Sequence, residues 1–419
     1  MTCPLVITGM GAVTPIGIGV PEYWQNLIAG KCGVGPITRF DPESLPTHIA
    51  AEVRNFHGSA HLPRTVTRSA APFMQYALAA ASEAIAQADL TPGDAPERIG
   101  ICMGTALAGI TEIYDRSEEY LNSATGRISP YFVPRVIANM AAAHLAIAFG
   151  FTGPGFTVST ACSAGSDAIM TAAMLIQAGE ADAIVAMGAE SILCPVVISS
   201  LAGARALSRN NDDRMTASRP FDLERDGFVI GEGAGAIVIE SAARAKARKA
   251  RVLANLAGWA NTMDAWHITA PEPEGRGAAR CMELALAKAH LKPEQIGYIN
   301  AHGTSTILGD QAETRALKLV FGDSPPPVSS TKGATGHLMG AGGITEVIAC
   351  ILAIQEGILP PTLNLRHPDP ECDLDYIANV ARNARINAAM SNSLGCGGQN
   401  SCIIVTRADA GWSADDCHL

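Results

Sequence analysis

The chain has 419 residues, more than one compact hydrophobic core usually holds, so two domain-sized units are expected. Hydrophobic residues make up 48% and charged residues 17% of the sequence, which is typical of a tightly packed globular protein and excludes a disordered chain. The formal net charge of −10 argues against a nucleic-acid-binding protein, because that function depends on clustered lysine and arginine.

The N-terminal segment predicts a buried strand rather than a secretory signal. The sequence MTCPLVITGMGAVTPIG lacks a basic start and runs from an apolar stretch into a Gly/Pro turn. The apolar region 181–203 is interrupted by Asp182, Glu190 and Pro195, which favours a buried strand and loop over a membrane span. Eleven cysteines without a CxxC motif or zinc-like spacing are typical of free thiols in a reducing compartment. A cytoplasmic protein without a membrane partner is therefore expected.

Two kinds of segment occur twice in the same order, which predicts a duplicated α/β unit. The segments from Ala80 and from Cys281 both read as an Ala/Leu-rich helix, a Leu-x-Pro stop and an apolar strand entering a Gly/Thr loop. The segments from Val158 and from Val328 both read as a strand, a Ser/Thr turn and a long apolar helix ending in Ile-Gln-x-Gly. Alternating strands and helices imply sheets covered on both faces, and the duplication implies two halves related by a pseudo-twofold axis.

The boundary between the halves is predicted after the basic helix ESAARAKARKAR, near Arg251. The clustered charges of that helix are interpreted as a solvated helix face rather than a docking site. This places the N-terminal half at residues 1–251 and the C-terminal half at residues 252–411. Residues 412–419 are expected to form a frayed tail without a function.

Cys162 is a candidate nucleophile because it falls at a predicted strand-to-helix turn. In GPGFTVSTACSAGSDAIM, a β-branched run precedes small residues and then a helical pattern. The free N–H groups and the dipole at a helix N-terminus favour an anion. The pKa of the thiol is therefore predicted to fall by a unit or more, each unit being worth roughly 1.4 kcal/mol. A buried structural cysteine is the alternative.

Partner groups for this thiol are found in two Gly/Thr-rich loops of the second half. His302 lies in NAHGTST and His337 lies in STKGATGHLMGAGG, each after a short apolar strand, where open α/β sheets place their ligand sites. Lys332 lies five residues before His337, at the repeat position equivalent to the Cys162 turn. These residues at matching strand ends indicate a catalytic site rather than packing. Since the phosphate-binding, dinucleotide-binding and metal-binding motifs are all missing from the sequence, neither a nucleotide nor a metal is expected.

Several long motifs occur in one order along nearly the whole chain: VITGMGAVTPIG, VSTACSAG, ASRPFDLERDGFVIGEGAG, NAHGTST with Gly309-Asp310, STKGATGHLMGAGG and NSLGCGGQN. They resemble the motifs of β-ketoacyl-[acyl-carrier-protein] synthases of the type II elongating kind, condensing enzymes of the thiolase superfamily that include the type II polyketide ketosynthases. The resemblance implies an α/β, thiolase-like duplicated fold with five layers, αβαβα, and two mixed sheets. It also implies a decarboxylative Claisen condensation that lengthens a fatty-acid or related acyl chain by two carbons.

The resemblance assigns roles to the candidate catalytic residues. Cys162 is implied to accept an acyl group from an acyl carrier protein. His302 and His337 are implied to donate hydrogen bonds to the malonyl thioester oxygen while carbon dioxide leaves, since two neutral imidazoles suit developing negative charge. Lys332 resembles a buried lysine with a positioning and electrostatic role, and Glu346 is its predicted ion-pair partner.

The resemblance also assigns the groups that bind substrate. The backbone N–H groups of Cys162 and Cys396 are implied to form an oxyanion hole. Thr304 and Thr306 match positions that contact the malonyl carboxylate or the pantetheine arm. Because both substrates arrive on the phosphopantetheine of an acyl carrier protein, no other cofactor is expected. Docking of that acidic partner is predicted at three arginines, with ordinary surface residues as the alternative: Arg205, Arg64 and Arg68.

The stretch NSLGCGGQN departs from the family's usual Asn-Ser-Phe-Gly-Phe-Gly-Gly. Leu394 and Cys396 replace both phenylalanines, and the second of these acts in relatives as a gate that closes the acyl tunnel. A cysteine side chain is too small to fill that volume. The gating, the acyl chain length and the saturation of the substrate therefore stay open.

Alternative functions stay open as well. Cys396-Gly397-Gly398 partly matches the Cys-x-Gly-Gly-Gly turn of coenzyme-A-dependent thiolases, although thiolases carry asparagine in place of His302. The altered gate is compatible with a ketosynthase subunit of a type II polyketide or polyene system. Such a subunit pairs with a homologous chain-length factor, whereas the family otherwise implies a homodimer. The sequence does not decide between these assemblies or between the fatty-acid and polyketide pathways.

Overall fold

The structure is a computed structural model and describes residues 3–93, 95–322 and 324–409. The longer strands are built from alternating β-branched and small apolar residues, which suit a sheet buried on both faces. The strands are β1 (Leu5–Thr14), β2 (Gly17–Ile18), β3 (Gly35–Pro36), β4 (Ile49–Ala50), β5 (Ile99–Gly104), β6 (Gly155–Val158), β7 (Ala183–Glu190), β8 (Gly233–Ser241), β9 (Ala254–Met263), β10 (Tyr298–Asn300), β11 (Val328–Ser329), β12 (Ile358–Leu359), β13 (Arg382–Asn383), β14 (Ala388–Gly395) and β15 (Gln399–Thr406).

The helices connect these strands and are rich in alanine and leucine, which favour helix. They are α1 (Val20–Ile28), α2 (Gly58–His61), α3 (Arg64–Ser69), α4 (Pro72–Ala88), α5 (Ile110–Asn122), α6 (Phe132–Val136), α7 (Met140–Phe149), α8 (Ala164–Gln177), α9 (Pro195–Gly203), α10 (Ala242–Ala247), α11 (Arg276–Ala289), α12 (Ile307–Phe321), α13 (Lys332–Thr335) and α14 (Gly342–Glu356). The repeated segments of the sequence correspond to α4–β5 and α11–β10, and to β6–α8 and β11–α14.

The main sheet contains the same strand order twice. From edge to edge the order is β11-β10-β14-β15-β9-β1-β8-β7-β5-β6. In the first half β1 pairs antiparallel with β8, and β8 with β7. In the second half β9 pairs antiparallel with β15, and β15 with β14. Beyond these pairs, β7, β5 and β6 run parallel in the first half, and β14, β10 and β11 run parallel in the second. The predicted duplicated unit with a mixed sheet in each half is confirmed.

The two mixed sheets meet edge to edge at their equivalent first strands. β1 and β9 pair antiparallel over residues 5–7 and 254–256, which makes the two sheets one continuous path. An antiparallel contact between equivalent strands is what a twofold axis produces. The pairing therefore supports the predicted pseudo-twofold relation.

Helices form three layers around these sheets. In the central layer α8 and α14 pack on each other and share one apolar cluster with residues of both sheets. α4 and α7 cover the outer face of the first half, and α11 and α12 cover the outer face of the second. The five-layered αβαβα arrangement is confirmed.

The central helix explains the most apolar stretch of the fold. Within the described ranges, the helical segment Met339–Glu356 is long and apolar enough to cross a membrane, but 89% of it is buried inside the protein. A helix that packs on all sides in a central layer has this composition without any membrane.

Two glycines bring the starts of the central helices together. A Cβ on Gly165 would lie 2.7 Å from the carbonyl oxygen of Gly340, and one on Gly343 would lie 2.2 Å from the hydroxyl oxygen of Ser166. Larger residues would push α8 and α14 apart. These glycines therefore allow the Cys162 turn, which precedes α8, to meet the His337 loop, which precedes α14.

The boundary near Arg251 stays a prediction. The basic helix is observed as α10, and β9, the first strand of the second half, begins at Ala254. The predicted tail, residues 412–419, lies outside the described residues.

Candidate active site

Cys162 lies in a strained turn between β6 and α8. It is the middle residue of a single 3₁₀ turn, Ala161–Ser163, and α8 begins at Ala164. The preceding residue, Ala161, has a φ of 52°, a left-handed conformation that L-residues avoid. Such strain costs on the order of 1–3 kcal/mol and persists where the surrounding structure enforces it, typically at functional sites. The predicted strand-to-helix turn is present, and the Cys162 side chain in it is buried.

His337 lies directly beside this thiol. Its Nε2 is 3.0 Å from the Cys162 sulfur, and its Nδ1 accepts a hydrogen bond from the backbone N–H of Met339 at 3.3 Å. Because Nδ1 is the acceptor, the proton of the neutral ring is on Nε2. Burial and the charge of Lys332 hold the pKa of His337 well below its usual value, so the ring is neutral. Phe228 packs edge-on against it, with the ring centres 5.3 Å apart.

His302 completes the cluster. The ring centres of His302 and His337 are 5.2 Å apart and the rings are nearly perpendicular. The nearest ring nitrogens and the Cys162 sulfur all lie within 4.8 Å of one another. Burial, followed by the charge of Lys332 and the neighbouring imidazole, lowers the pKa of His302 well below its usual value. Its buried Nδ1 has no hydrogen-bond partner in the part of the chain that the structure describes, so it is available to a ligand.

The predicted fall in the pKa of Cys162 is wrong. Burial raises the pKa of this thiol to about 12, and the neighbouring Cys396 thiol adds to the rise. The charge of Lys332 and the backbone N–H of Cys396 act in the opposite direction but do not outweigh burial. The resting pair is therefore a thiol beside a neutral imidazole, not a thiolate–imidazolium ion pair.

The tautomer of His337 argues against a metal at this cluster, although Cys162, His302 and His337 are spaced as metal ligands can be. A metal bound to Nε2 would move the ring proton to Nδ1, where the backbone N–H of Met339 already points. Two N–H groups would then face each other. The arrangement suits a hydrogen-bond donor better than a metal ligand.

Lys332 and Glu346 form the predicted ion pair, with their side chains 2% and 3% exposed. Lys332 begins α13 and Glu346 lies in the second turn of α14, so the pair joins the His337 loop to the central layer. Burial raises the pKa of Glu346, and the charge of Lys332 opposes that rise. Removing one partner of such a pair leaves a buried uncompensated charge, which typically costs about 3–5 kcal/mol.

A cavity of about 140 Å³ opens beside the cysteine and the two histidines. It brings together the predicted nucleophile, both histidines, both threonines and both gate residues. The hydroxyl oxygens of Thr304 and Thr306 are 3.0 Å apart at its wall. The lining residues are Cys162, Ala206, Phe228, Asp264, Thr269, Pro271, His302, Thr304, Thr306, Gly309, His337, Leu394, Gly395, Cys396 and Asn400.

The stretch NSLGCGGQN, which carries both gate residues, contains the turn between β14 and β15. Leu394 is half-buried and Cys396 is exposed. Gly395 packs against the nucleophile turn so closely that a Cβ there would lie 3.3 Å from the backbone nitrogen of Cys162. The predicted oxyanion-hole residues are therefore neighbours in space, although 234 positions separate their numbers in the chain.

Two buried carboxylates that sequence analysis gave no role hold the loop after β10. Glu313 accepts hydrogen bonds from the backbone N–H groups of His302 and Gly303, both at 2.8 Å. Asp310 accepts one from the backbone N–H of Ser305 at 3.2 Å. Burial raises the pKa of Glu313 to about 7 and that of Asp310 to about 6. Asp310 belongs to a quoted motif, and Glu313 follows it by one helical turn.

A third carboxylate, Glu190, connects the two halves near the nucleophile. It accepts hydrogen bonds from the backbone N–H groups of Ala106, Leu107 and Gly340 at 2.7, 3.1 and 3.1 Å. Burial raises its pKa to about 6. The signal in the sequence was a carboxylate inside an apolar strand, which is rare unless the charge is satisfied by specific partners.

The predicted docking arginines do not line the cavity. Arg205 is exposed directly after α9 and precedes Ala206, which does line it. Arg64 and Arg68 are exposed on α3. None of the three side chains has an ion-pair partner within residues 3–93, 95–322 and 324–409. Their docking role stays a prediction.

A duplicated five-layered fold with a buried cysteine beside two neutral imidazoles at a shared cavity defines a condensing enzyme of the thiolase superfamily. Residues 2–245 match the family model of the β-ketoacyl synthase N-terminal domain, and residues 253–366 match that of the C-terminal domain. The chain belongs to the β-ketoacyl synthase family.

Individual relatives agree with this assignment over nearly their whole length. A protein of Synechocystis named 3-oxoacyl-[acyl-carrier-protein] synthase 2 is 45% identical over 399 residues, covering 94% of this chain and 96% of the relative. The solved ishigamide ketosynthase/chain length factor is 35% identical with a TM-score of 0.90, covering 97% of this chain and 100% of that one. One chain of a solved complex between a type II polyketide acyl-carrier protein and its ketosynthase is 33% identical, with a TM-score of 0.89 and the same coverage.

Proposed function

We propose that the chain catalyses the decarboxylative Claisen condensation of an acyl group held on Cys162 with a malonyl group on an acyl carrier protein, extending the acyl chain by two carbons. The observation that carries this proposal is the cluster of Cys162, His302 and His337, whose reacting atoms lie within 4.8 Å of one another at one cavity. Relatives named 3-oxoacyl-[acyl-carrier-protein] synthase support the same reaction.

In the first step the Cys162 sulfur attacks the carbonyl carbon of the acyl thioester. The negative charge that develops on the oxygen is held by the backbone N–H groups of Cys162 and Cys396. The carbon–sulfur bond to the carrier then breaks, and the thiol proton leaves with the pantetheine sulfur. Because the thiolate is the attacking form and Cys162 is protonated at rest, its proton must leave as the sulfur attacks, and the departing pantetheine sulfur takes it up.

In the second step the malonyl thioester oxygen accepts hydrogen bonds from the two imidazoles. Carbon dioxide leaves, and the resulting enolate carbon attacks the acyl carbon on Cys162, which releases the sulfur. The lowered pKa values of His302 and His337 keep both rings neutral, so they stabilise the enolate without protonating its carbon. Lys332 positions the loop of His337, and its charge adds to the burial that keeps both imidazole pKa values low.

The carrier protein is the proposed partner, and its phosphopantetheine enters the cavity past Thr304 and Thr306. No cofactor beyond that arm is proposed. Docking is assigned to Arg205, with Arg64 and Arg68 as companions, because these side chains are exposed and have no acidic partner among the residues that the structure describes. They act locally, since the net charge of −10 repels an acidic partner at long range. We also propose that the protein works in the cytoplasm.

A second copy, or a homologous chain-length factor, is proposed to pair with the edge strand β6. This strand ends the main sheet, and Phe156 in it is 50% exposed. Ile147 of α7, a helix that contacts β6, is exposed as well, and so is Val133 of α6. An unpaired edge strand beside exposed apolar residues is the signature of an interface.

Reconstitution tests the reaction and the assembly together. The purified chain, supplied with acyl- and malonyl-carrier protein, is expected to release carbon dioxide and form a 3-oxoacyl product in equal amounts. Fatty-acid elongation predicts that a homodimer does this alone. The second candidate, a polyketide or polyene subunit, is favoured by the small Cys396 gate and predicts activity only after co-expression with a chain-length factor. Failure of both assemblies to condense would contradict the proposed function.

Replacing the small gate is expected to narrow the range of acyl groups. Cys396→Phe fills space beside the nucleophile, so kcat/KM for bulky or rigid acyl chains should fall by roughly tenfold to 200-fold relative to short straight chains. Competition between acyl-carrier proteins of mixed chain type measures this ratio. Cys396→Ala, which keeps the gate small, is the matched control and should retain the wild-type profile. An unchanged profile in Cys396→Phe would show that this position does not set specificity.

A further inference from the structure

A second thiol lies at the active-site cavity of this chain. Cys162 is 6% exposed, whereas Cys396 is exposed in the turn between β14 and β15, and both line the cavity. Among the ten cysteines of the described ranges, only these two line it. The chain therefore places a solvent-accessible sulfur beside its own proposed nucleophile.

The backbone positions of the two cysteines are close. The backbone N–H of Cys396 lies near enough to the Cys162 sulfur to act against the burial that raises the pKa of that thiol, and a Cβ on Gly395 would lie 3.3 Å from the backbone nitrogen of Cys162. Disulfides join cysteines whose Cα atoms are roughly 4.4–6.8 Å apart. Because Cys396 directly follows Gly395 and lines the same cavity as Cys162, its side chain can come within the reach of such a bond.

The turn that carries Cys396 is open on its solvent side and held at its base. Gly397 and Gly398 have φ values of 86° and 73°, conformations that glycine adopts without strain. Among the described residues, its chain neighbours apart, no atom lies within 4 Å of the place where a Cβ on Gly397 would be. The backbone N–H of Gly397 donates to the carbonyl of Ile268 at 2.8 Å, and the carbonyl of Gly398 accepts from the backbone N–H of Asp264 at 2.9 Å. The exposed Cys396 side chain, rather than the turn, therefore rotates towards Cys162.

We propose that Cys162 and Cys396 form an oxidisable dithiol, a modification site at which hydrogen peroxide produces a reversible disulfide. The exposed Cys396 sulfur attacks one oxygen of the peroxide, the O–O bond breaks, and a sulfenic acid and water result. The Cys162 sulfur then attacks the Cys396 sulfur, the S–O bond breaks, and the hydroxyl leaves with the thiol proton as water. Each peroxide accepts two electrons, and the two thiols lose one hydrogen atom each.

The order of these steps follows from burial. Burial raises the pKa of both thiols, so exposure decides the order, and peroxide reaches the Cys396 sulfur first. Cys162, protonated and buried, then acts as the resolving thiol and is consumed as a nucleophile. The disulfide stops acyl loading, and a thiol reductant restores loading by reducing the disulfide. It also protects Cys162 from irreversible oxidation to the sulfinic acid.

Peptide mass spectrometry of the full-length protein tests this site without any acyl substrate, so its result is independent of the proposed function. The reduced protein is treated with hydrogen peroxide, the remaining thiols are alkylated, and crosslinked peptides are identified before and after dithiothreitol. A Cys162–Cys396 disulfide that dithiothreitol reverses is expected in the wild type. It is also expected in the control Cys32→Ser, which removes a partly buried thiol outside the cavity. Cys396→Ser should yield none.

Three outcomes would overturn the proposal. They are oxidation of either cysteine to the sulfinic or sulfonic acid without a crosslink, no reaction at either cysteine, and a crosslink of Cys162 to a different cysteine. Recovery of acyl loading by dithiothreitol provides a second readout. Loading should return to within about twofold in the wild type, whereas the same brief peroxide treatment should not lower the loading of Cys396→Ser relative to its untreated sample, because the sulfur that reacts first is missing.

Discussion

Cys162→Ala is expected to abolish formation of the acyl-enzyme, whereas Cys396→Ala retains it. Cys162 is the thiol that lies 3.0 Å from an imidazole at a strained helix start, and removal of a nucleophile typically lowers the rate by about 10⁴-fold or more. The role proposed for Cys396 uses only its backbone N–H, and alanine keeps that group. Intact-protein mass spectrometry after incubation with acyl-carrier protein should show the added acyl mass in Cys396→Ala and not in Cys162→Ala.

Peptide mapping identifies the acylated residue in the same samples. An acyl group on Cys396 but not on Cys162 would reverse the roles of the two thiols. That result would favour a thiolase-like division of labour, in which the turn cysteine takes part in the chemistry.

His302→Asn is expected to impair malonyl decarboxylation more than acylation of Cys162. Asparagine is shorter than histidine, so its amide does not reach the malonyl oxygen, and loss of one such donor costs about 3 kcal/mol, or roughly 10²- to 10³-fold in rate. Acyl transfer uses the backbone oxyanion hole and should slow by less than about tenfold. Release of labelled carbon dioxide from malonyl-carrier protein and the rate of acyl-enzyme formation measure the two steps separately.

A surface histidine provides the control for this substitution. His290 is exposed at the end of α11 in a left-handed conformation, which asparagine also tolerates, so His290→Asn should leave both rates unchanged. An unchanged rate of carbon dioxide release in His302→Asn would contradict the role given to His302.

The sequence was sufficient for the features that depend on local pattern. The repeated helix–strand segments gave the duplicated unit, and the loops after β10 and β11 placed His302 and His337 at one edge of a sheet. The Lys332–Glu346 pair was also predicted, on the strength of the family resemblance. These features follow from periodicity and motif, which a single chain displays.

Features that depend on contacts between distant segments were not predictable. The predicted direction of the shift in the Cys162 pKa was wrong. The helix start favours the thiolate locally, but burial, which depends on both halves of the chain, disfavours the thiolate more strongly. The role of Glu190 depends on Gly340, 150 positions away, and that of Glu313 depends on N–H groups that no motif marks. The antiparallel contact of β1 with β9 likewise leaves no pattern in the sequence of either strand from which it could have been predicted.

The most direct test of the account is a single-turnover reaction of wild-type enzyme already acylated on Cys162. After mixing with malonyl-carrier protein, the acyl-enzyme and the product are followed by mass spectrometry in the same quenched samples. The account predicts that the acyl group leaves Cys162 at the rate at which a 3-oxoacyl-carrier protein two carbons longer appears. Product that forms while Cys162 stays acylated, or an acyl group that is lost only to water, would contradict it.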